Sequence, residues 1–332
     1  FSDLHIHTYK NFNVGTSRID NCISVLYRIF QDAQEKGIKH ILFAGDLIDV
    51  QANPPMSVLV NTFEAFAELA ELYPEIEFIA ISGNHDHATR NTIERPAVTA
   101  LQHLADVFPK FVLLDNEHAT LYRETNVPSV RLHGVPYYEI PQHLEQAVQC
   151  RVTFEDGLKE ILLCHQTPKG LLPDIAQYDV DPADEVFDRF DFVMSGHIHT
   201  GGRLSDKWLS LCSPLHRDKG DEGQERGFYV IDLENPTTSV KFISTNSKFP
   251  LYKTVATVEE LEAEQADGHH VTLKSVAATF RTDTADEAER FTTDLSAETL
   301  LENFWEKTDG KDRELLAEGL NLLKLSETNA KN

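Results

Sequence analysis

The chain has 332 residues, 41% hydrophobic and 9% aromatic, enough apolar material for one large globular core or for a core domain with smaller appendages. No apolar run approaches a membrane span and no basic-then-apolar leader is present, so neither a spanning segment nor a signal peptide is expected. The formal charge of −24 repels nucleic acid at long range, so an acidic enzyme acting on a polyanion needs bound divalent ions, a local basic strip or a basic partner.

Taken in chain order, the first stretch, FSDLHIHT, reads as the exit of a strand, with Asp3, His5 and His7 two residues apart. In extended backbone such residues share one face. The chain begins at Phe1 without a methionine, and loss of a few residues of that strand is expected. TSRIDNCISVLYRIFQDAQEKG follows as a helix with apolar residues at 3.6-residue spacing, a cap at Thr16 or Ser17 and a stop at Gly37. KHILFAGDLID is a short buried strand, residues 56 to 73 a helix, and IEFIAISGNHD another strand. A helix around 96 to 107, the strand FVLLD, a hairpin through RLHGVPYYE, a helix from 141 and the strands ILLCHQTP and DFVMSGHIHTGG continue the alternation. WLSLCSP, GFYVIDL and SVKFIST close the unit near residue 246. Alternating elements followed by a run of strands give an α/β layered domain with mixed sheets.

Beyond that point the pattern changes. Strand, acidic helix, strand and polar helix over about 250 to 291 make a small α+β unit, and Ser296 onward reads as a helical hairpin turning at Gly310. The domain boundaries expected are 1–247, 248–291 and 292–332. The four cysteines are scattered without a CxxC pair, which suits a reducing, cytoplasmic compartment.

The chemistry lies in recurrence. Asp3 and His5, Asp46, Asn84 and His85, His165, and His197 and His199 all fall just past buried strands, the edge where α/β sheets bind ligands. Asp46 follows Gly45 at such an end and suits a carboxylate bridging two ions. Imidazole and carboxylate donors without a cysteine suit Mn, Fe or Zn.

In order, DLH (3–5), GDLID (45–49), GNHDH (83–87), His165 after ILLC and GHIHTGG (196–202) resemble the calcineurin-like metallophosphoesterase superfamily over roughly residues 1 to 246. The resemblance implies a four-layer sandwich, two mixed β-sheets flanked by helices. It implies two divalent ions, most simply Mn, with Mg, Fe or Zn as alternatives. One would be held by Asp3, His5, Asp46 and His199, the other by Asp46, Asn84, His165 and His197. His85 would protonate the leaving oxygen, with Asp86 orienting it. DxHxH also opens the polymerase-and-histidinol-phosphatase hydrolases, but the later motifs here are not theirs, which leaves His7 unassigned.

The order of catalytic domain, α+β unit and hairpin is similar to that of SbcD-like, Mre-type nuclease subunits of phage or bacterial type. That likeness implies a capping domain that guides DNA, and a hairpin over about 296–325 that docks on an SbcC-type coiled-coil ATPase. It also implies a homodimer through the helices at 17–36 and 56–73. Lys10, Arg90, Lys169, Arg203, Arg217 and Lys219 are candidates for a basic strip. The alternative is a stand-alone metallophosphatase or small-molecule phosphodiesterase on the same fold, and a further one is a metal-bearing interaction subunit with little activity.

Overall fold

The computed structural model describes residues 1–8, 17–49, 54–124, 127–172 and 179–274. The expected second polar helix (275–291) and the helical hairpin (292–332) lie outside them, as does Lys10.

Helix α1, Arg18–Glu35, starts at Ser17, whose hydroxyl accepts the Asp20 N–H while the Asp20 carboxylate accepts the Ser17 N–H. Both otherwise orphaned donors are thereby satisfied. It stops at Gly37, whose φ of +67° lets Ile38 N–H reach the Ala33 carbonyl. Strand β1, His40–Ala44, α2, Met56–Leu72, β2, Glu77–Ile81, α3, Leu101–Val107, and β3, Phe111–Leu113, follow. β1, β2 and β3 form a parallel sheet in that order. α3 is shorter than the sequence suggested, because residues 88–100 are held in turns by the Asn91 side chain, which bonds Ala97 N and the Tyr137 carbonyl.

The second sheet takes β4, His118–Glu124, β5, Val127–Val135, then after α4, Pro141–Arg151, β6, Lys159–His165, β7, Phe192–Gly196, β8, Gly202–Arg203, and β9, Trp208–Ser210. Its order is β4-β5-β6-β7-β9-β8, parallel in the middle and antiparallel at both edges. β10, Gly227–Val230, and β11, Lys241–Ser244, pair antiparallel. β12, Tyr252–Val255, and β13, His270–Leu273, pair in parallel around α5, Val258–Ala266. This is the strand, acidic helix and strand expected after residue 250.

Period-two alternation builds the layers. Ile41 and Phe43 of β1, with Phe78 and Ala80 of β2, face the helices α1 and α2. Their neighbours Ala44, Ile79 and Ile81 face Ile161, Leu163, Phe192 and Met194 of the second sheet. Leu162, Cys164 and Val193 face outward onto Leu144, Ala147 and Val148 of α4. The result is helix, sheet, sheet, helix, the mixed α/β sandwich that the motifs implied. Each fully buried large apolar side chain contributes roughly 1.5–3 kcal/mol.

Register then sets the site. Ala44 opposes Ile81, so Gly45-Asp46 and Ser82-Gly83-Asn84 leave the first sheet side by side. His165 opposes Gly196, so His165 and His197 leave the second sheet as neighbours.

Candidate metal centre and catalytic cleft

Residues 1 to 8 run alongside β1 rather than forming a long strand. Asp3, His5 and Ile6 N–H donate to the carbonyls of Gly45, Asp46 and Leu47, while Ala44 N–H donates to Phe1. Asp3 and His5 have φ of +55° and +50°, so extended alternation does not place their side chains. Asp46 at +62° and His197 at +85° share this left-handed backbone, making four of the five such non-glycine residues among those described. Strain of about 1–3 kcal/mol at each is the kind that surrounding structure holds at functional sites. Gly45, at φ +88°, is required for a second reason: a Cβ there would lie 2.5 Å from His165 Nδ1 and 2.8 Å from Gly83 Cα.

Two sets of donors meet at one carboxylate. Asp46 Oδ2 lies 3.6 Å from His5 Nε2 and 3.3 Å from His165 Nε2. On the first side, His5 and His199 present Nε2 to each other at 3.1 Å, and Asp3 Oδ1 is 3.9 Å from both. On the second, Asn84 Oδ1 and His197 Nδ1 lie 3.2 and 3.3 Å from His165 Nε2. His165 Nδ1 donates to the Ala44 carbonyl at 2.5 Å, which orients the ring with Nε2 toward Asp46, Asn84 and His197. Three sets of carboxylate and imidazole atoms are close enough to share an ion: Asp3, His5 and His199; His5, Asp46 and His85; and Asp46, His165 and His197.

The residues fit divalent ions by their own chemistry. Asp3 Oδ1 is buried without a hydrogen-bond partner, a cost that a cation would remove. Burial opposes charge on His165, yet Asp46 and Asp3 outweigh it and lift the imidazole to about 9. The pocket between those carboxylates therefore favours a positive charge. Burial and the neighbouring His165 hold His197 down at about 3, a neutral ligand form. No cysteine enters the cluster, which suits oxygen- and nitrogen-liking ions.

His85 sits at the open side, its side chain 22% exposed. Its N–H donates to Asp46 Oδ1 at 2.8 Å, and its ring stands edge-on to His5 at 4.7 Å. Its Nδ1 pairs with Asp49. Burial disfavours its charge, but Asp49 and Asp46 prevail and raise it above the usual imidazole value. Burial likewise opposes ionised Asp49, and His5 and His85 hold it well below the carboxylate range.

The orienting contact to His85 thus comes from Asp49, and the role expected of Asp86 is corrected. The Asp86 carboxylate instead accepts N–H groups of Gly83, Asp46, Leu47 and Ile48 at 2.7–3.0 Å, clamping one strand-end loop to the other. Asp49 stood in the quoted GDLID motif, three residues after Asp46, and that spacing was its available signal. Two more residues at the cleft were missed or only grouped with others. The Tyr137 ring packs 5.3 Å from His197 and 6.1 Å from His165. Arg217 lies 3.2 Å from Asp49 and 3.3 Å from His199 Nε2.

The remaining histidines near the motifs, and two of the candidate cations, stand apart. His7 is buried in none of the ligand sets, and burial with Arg18 nearby keeps it neutral at about 3. His87 bonds Ser82, His133 pairs with Glu160, and His216 bonds Gln224 and Tyr252 backbone. Lys169 pairs with Asp181, and Arg203 binds backbone carbonyls.

Comparison with known proteins places the chain in a family. A family model of calcineurin-like phosphoesterases matches residues 1–201. The DNA double-strand break repair protein Mre11 of Halobacterium salinarum is 24% identical over 253 residues, 74% of this chain and 58% of that protein. The chain therefore spans little more than half the length of that relative. A crystal structure from Thermus thermophilus superposes with a TM-score of 0.44 at 13% identity, over 67% of this chain and 93% of the other. With the motif order, the sandwich and the matched family model in agreement, the chain belongs to the calcineurin-like phosphoesterase family.

Proposed function

We propose that this protein is a two-metal-dependent DNA exo/endonuclease, the nuclease subunit of an SbcCD-type complex. The observation that carries the hydrolytic part is the Asp46 carboxylate set between two converging donor groups. Asp3, His5, Asp46 and His199 would hold one ion, and Asp46, Asn84, His165 and His197 the other. Such ions, when bound, polarise phosphoryl oxygens and supply an activated water near neutral pH.

The chain's own residues do the rest. Asp46 and Asn84 hold the two ligand sets in register, because Asp86 ties their loops together. His85, held by Asp49 and with its imidazole raised above the usual value, is poised to give a proton to the departing oxygen, worth ~10²–10⁴-fold. Tyr137 packs its ring against His165 and His197.

The DNA reading is supported by likeness to a protein named for double-strand break repair. Dimerisation is supported by apolar side chains left outside on α2, Met56 and Val60, and by Val98 ahead of α3 and Val107 at its end. The capping-domain and ATPase-docking roles extend the resemblance to 248–291 and 292–332. No helix among the described residues is long and apolar enough to cross a membrane.

Labelled linear duplex DNA and nucleotide monoesters, assayed side by side in Mn²⁺, test the reading. Shortened or nicked duplex is expected; dominant monoesterase turnover with intact DNA would replace the nuclease by a stand-alone phosphatase.

A further inference from the structure

Arg217 reaches the cleft from the loop between β9 and β10, and that loop is held by buried charges. The His216 carbonyl accepts from Arg18 Nη1 at 2.9 Å, and His216 Nδ1 accepts the Tyr252 N–H at 3.2 Å. Asp221 accepts the Arg217 N–H at 2.6 Å and Arg226 Nη2 at 2.5 Å. Arg18, Asp221 and Arg226 are all buried. Desolvating three charged groups is costly unless they are well paired, so the loop backbone is held in one arrangement. What it presents is a single guanidinium, 25% exposed, in a chain of net charge −24.

The two arms of that guanidinium have different partners. Nη2 donates to Asp49 Oδ2, a lasting charge-assisted bond. Nη1 points at His199 Nε2. That nitrogen's lone pair is the one an ion in the Asp3, His5 and His199 set would take. A ligated His199 can no longer accept from Nη1, and the arm then needs a new acceptor. The cation would also stand close to the guanidinium in a partly buried cleft, where like charges repel strongly unless an anion lies between them. A phosphate oxygen meets both demands, and a guanidinium fork suits it.

We infer that Arg217 binds a non-bridging oxygen of the substrate phosphate at the metal cleft, a substrate contact the motifs do not contain. This rests on the phosphoesterase reading. Asp49 serves both neighbours, holding His85 for proton transfer and Arg217 for phosphate, while Asp221 is a positioning residue for the loop.

The test uses the full chain loaded with Mn²⁺, as wild type, Arg217→Gln and Arg217→Lys. Calorimetry measures binding of Mn²⁺ and of inorganic phosphate, and a bis-aryl phosphate diester reports KM and kcat. Arg217→Gln should bind Mn²⁺ as wild type does while phosphate affinity falls about tenfold to a hundredfold and KM rises in step. Arg217→Lys, a point charge without the fork, should recover part of that loss, and it carries the test if the glutamine variant melts early. Unchanged phosphate affinity in a folded Arg217→Gln overturns the inference, because the arginine then only supports Asp49. Lost Mn²⁺ binding overturns it too, assigning Arg217 to the ligand frame. A wild type that binds no phosphate and cleaves no diester removes the phosphoesterase reading itself; normal wild-type turnover with an indifferent variant removes only Arg217.

Discussion

The two donor sets that meet at Asp46 differ in what surrounds them. On the His165 side the ring is buried, its orientation is fixed by the Ala44 carbonyl, and Gly45 leaves no room for a side chain, while Asn84 and His197 are half-buried. Around His5 and His199 the cleft opens, with His199 21% and His85 22% exposed and Arg217 alongside. His165 is thus tied to β1 and to the Gly45 turn. The His5 and His199 side carries the proposed acid, His85, and the proposed phosphate contact, Arg217. Chemistry in this molecule is therefore expected to be asymmetric across Asp46.

Substitutions can break that comparison, and the largest effect should come from the shared residue. Asp46→Ala removes a ligand from both sets and should lower kcat by about 10³-fold or more, with calorimetry losing the two-ion stoichiometry. His85→Ala touches only the open side: kcat should fall ~10²–10⁴-fold with both ions still bound. Full turnover in that variant would remove its role as proton donor. Asp49→Asn should cost about 10–100-fold in kcat, as outer partners of site residues do, with little change in ion stoichiometry. Asp86→Asn, by contrast, should disturb both ion sites together, since its carboxylate joins their loops. Away from the cleft, Phe192→Ala between the sheets should lower stability by ~3–5 kcal/mol in a denaturant titration. Ser17→Ala at the α1 cap should lower it by about 1 kcal/mol.

Much of this was legible in residues because strand ends are punctuated so clearly. GDLID, GNHDH and GHIHTGG each follow an apolar run and carry their own glycine, so the strands, and the convergence of polar residues at their ends, could be read from spacing. The four layers were implied by the resemblance, and in the structure they rest on period-two burial, with Leu162 and Leu163 facing opposite sides of one sheet. What escaped was decided by three-dimensional neighbours. Asp86 and Asp49 are equally acidic and equally close to a motif. Only the pairing of β1 with β2 puts Asp86 under backbone amides and Asp49 beside His85. The common face expected of Asp3, His5 and His7 failed because left-handed backbone at Asp3 and His5 leaves no regular alternation. Arg217 was one of six scattered cations until the loop anchored by Arg18 and Arg226 set it against His199. Tyr137 offered no motif at all; it reaches His197 because β5 lies beside β6.

The central claim is a pair of ions sharing Asp46. Anomalous diffraction from a Mn²⁺-soaked crystal, recorded at the manganese edge, tests it most directly. The account predicts two peaks about 3.5–4 Å apart with Asp46 between them, Asn84, His165 and His197 on one side and Asp3, His5 and His199 on the other. A single peak, or peaks that leave Asp46 uncoordinated, would contradict it.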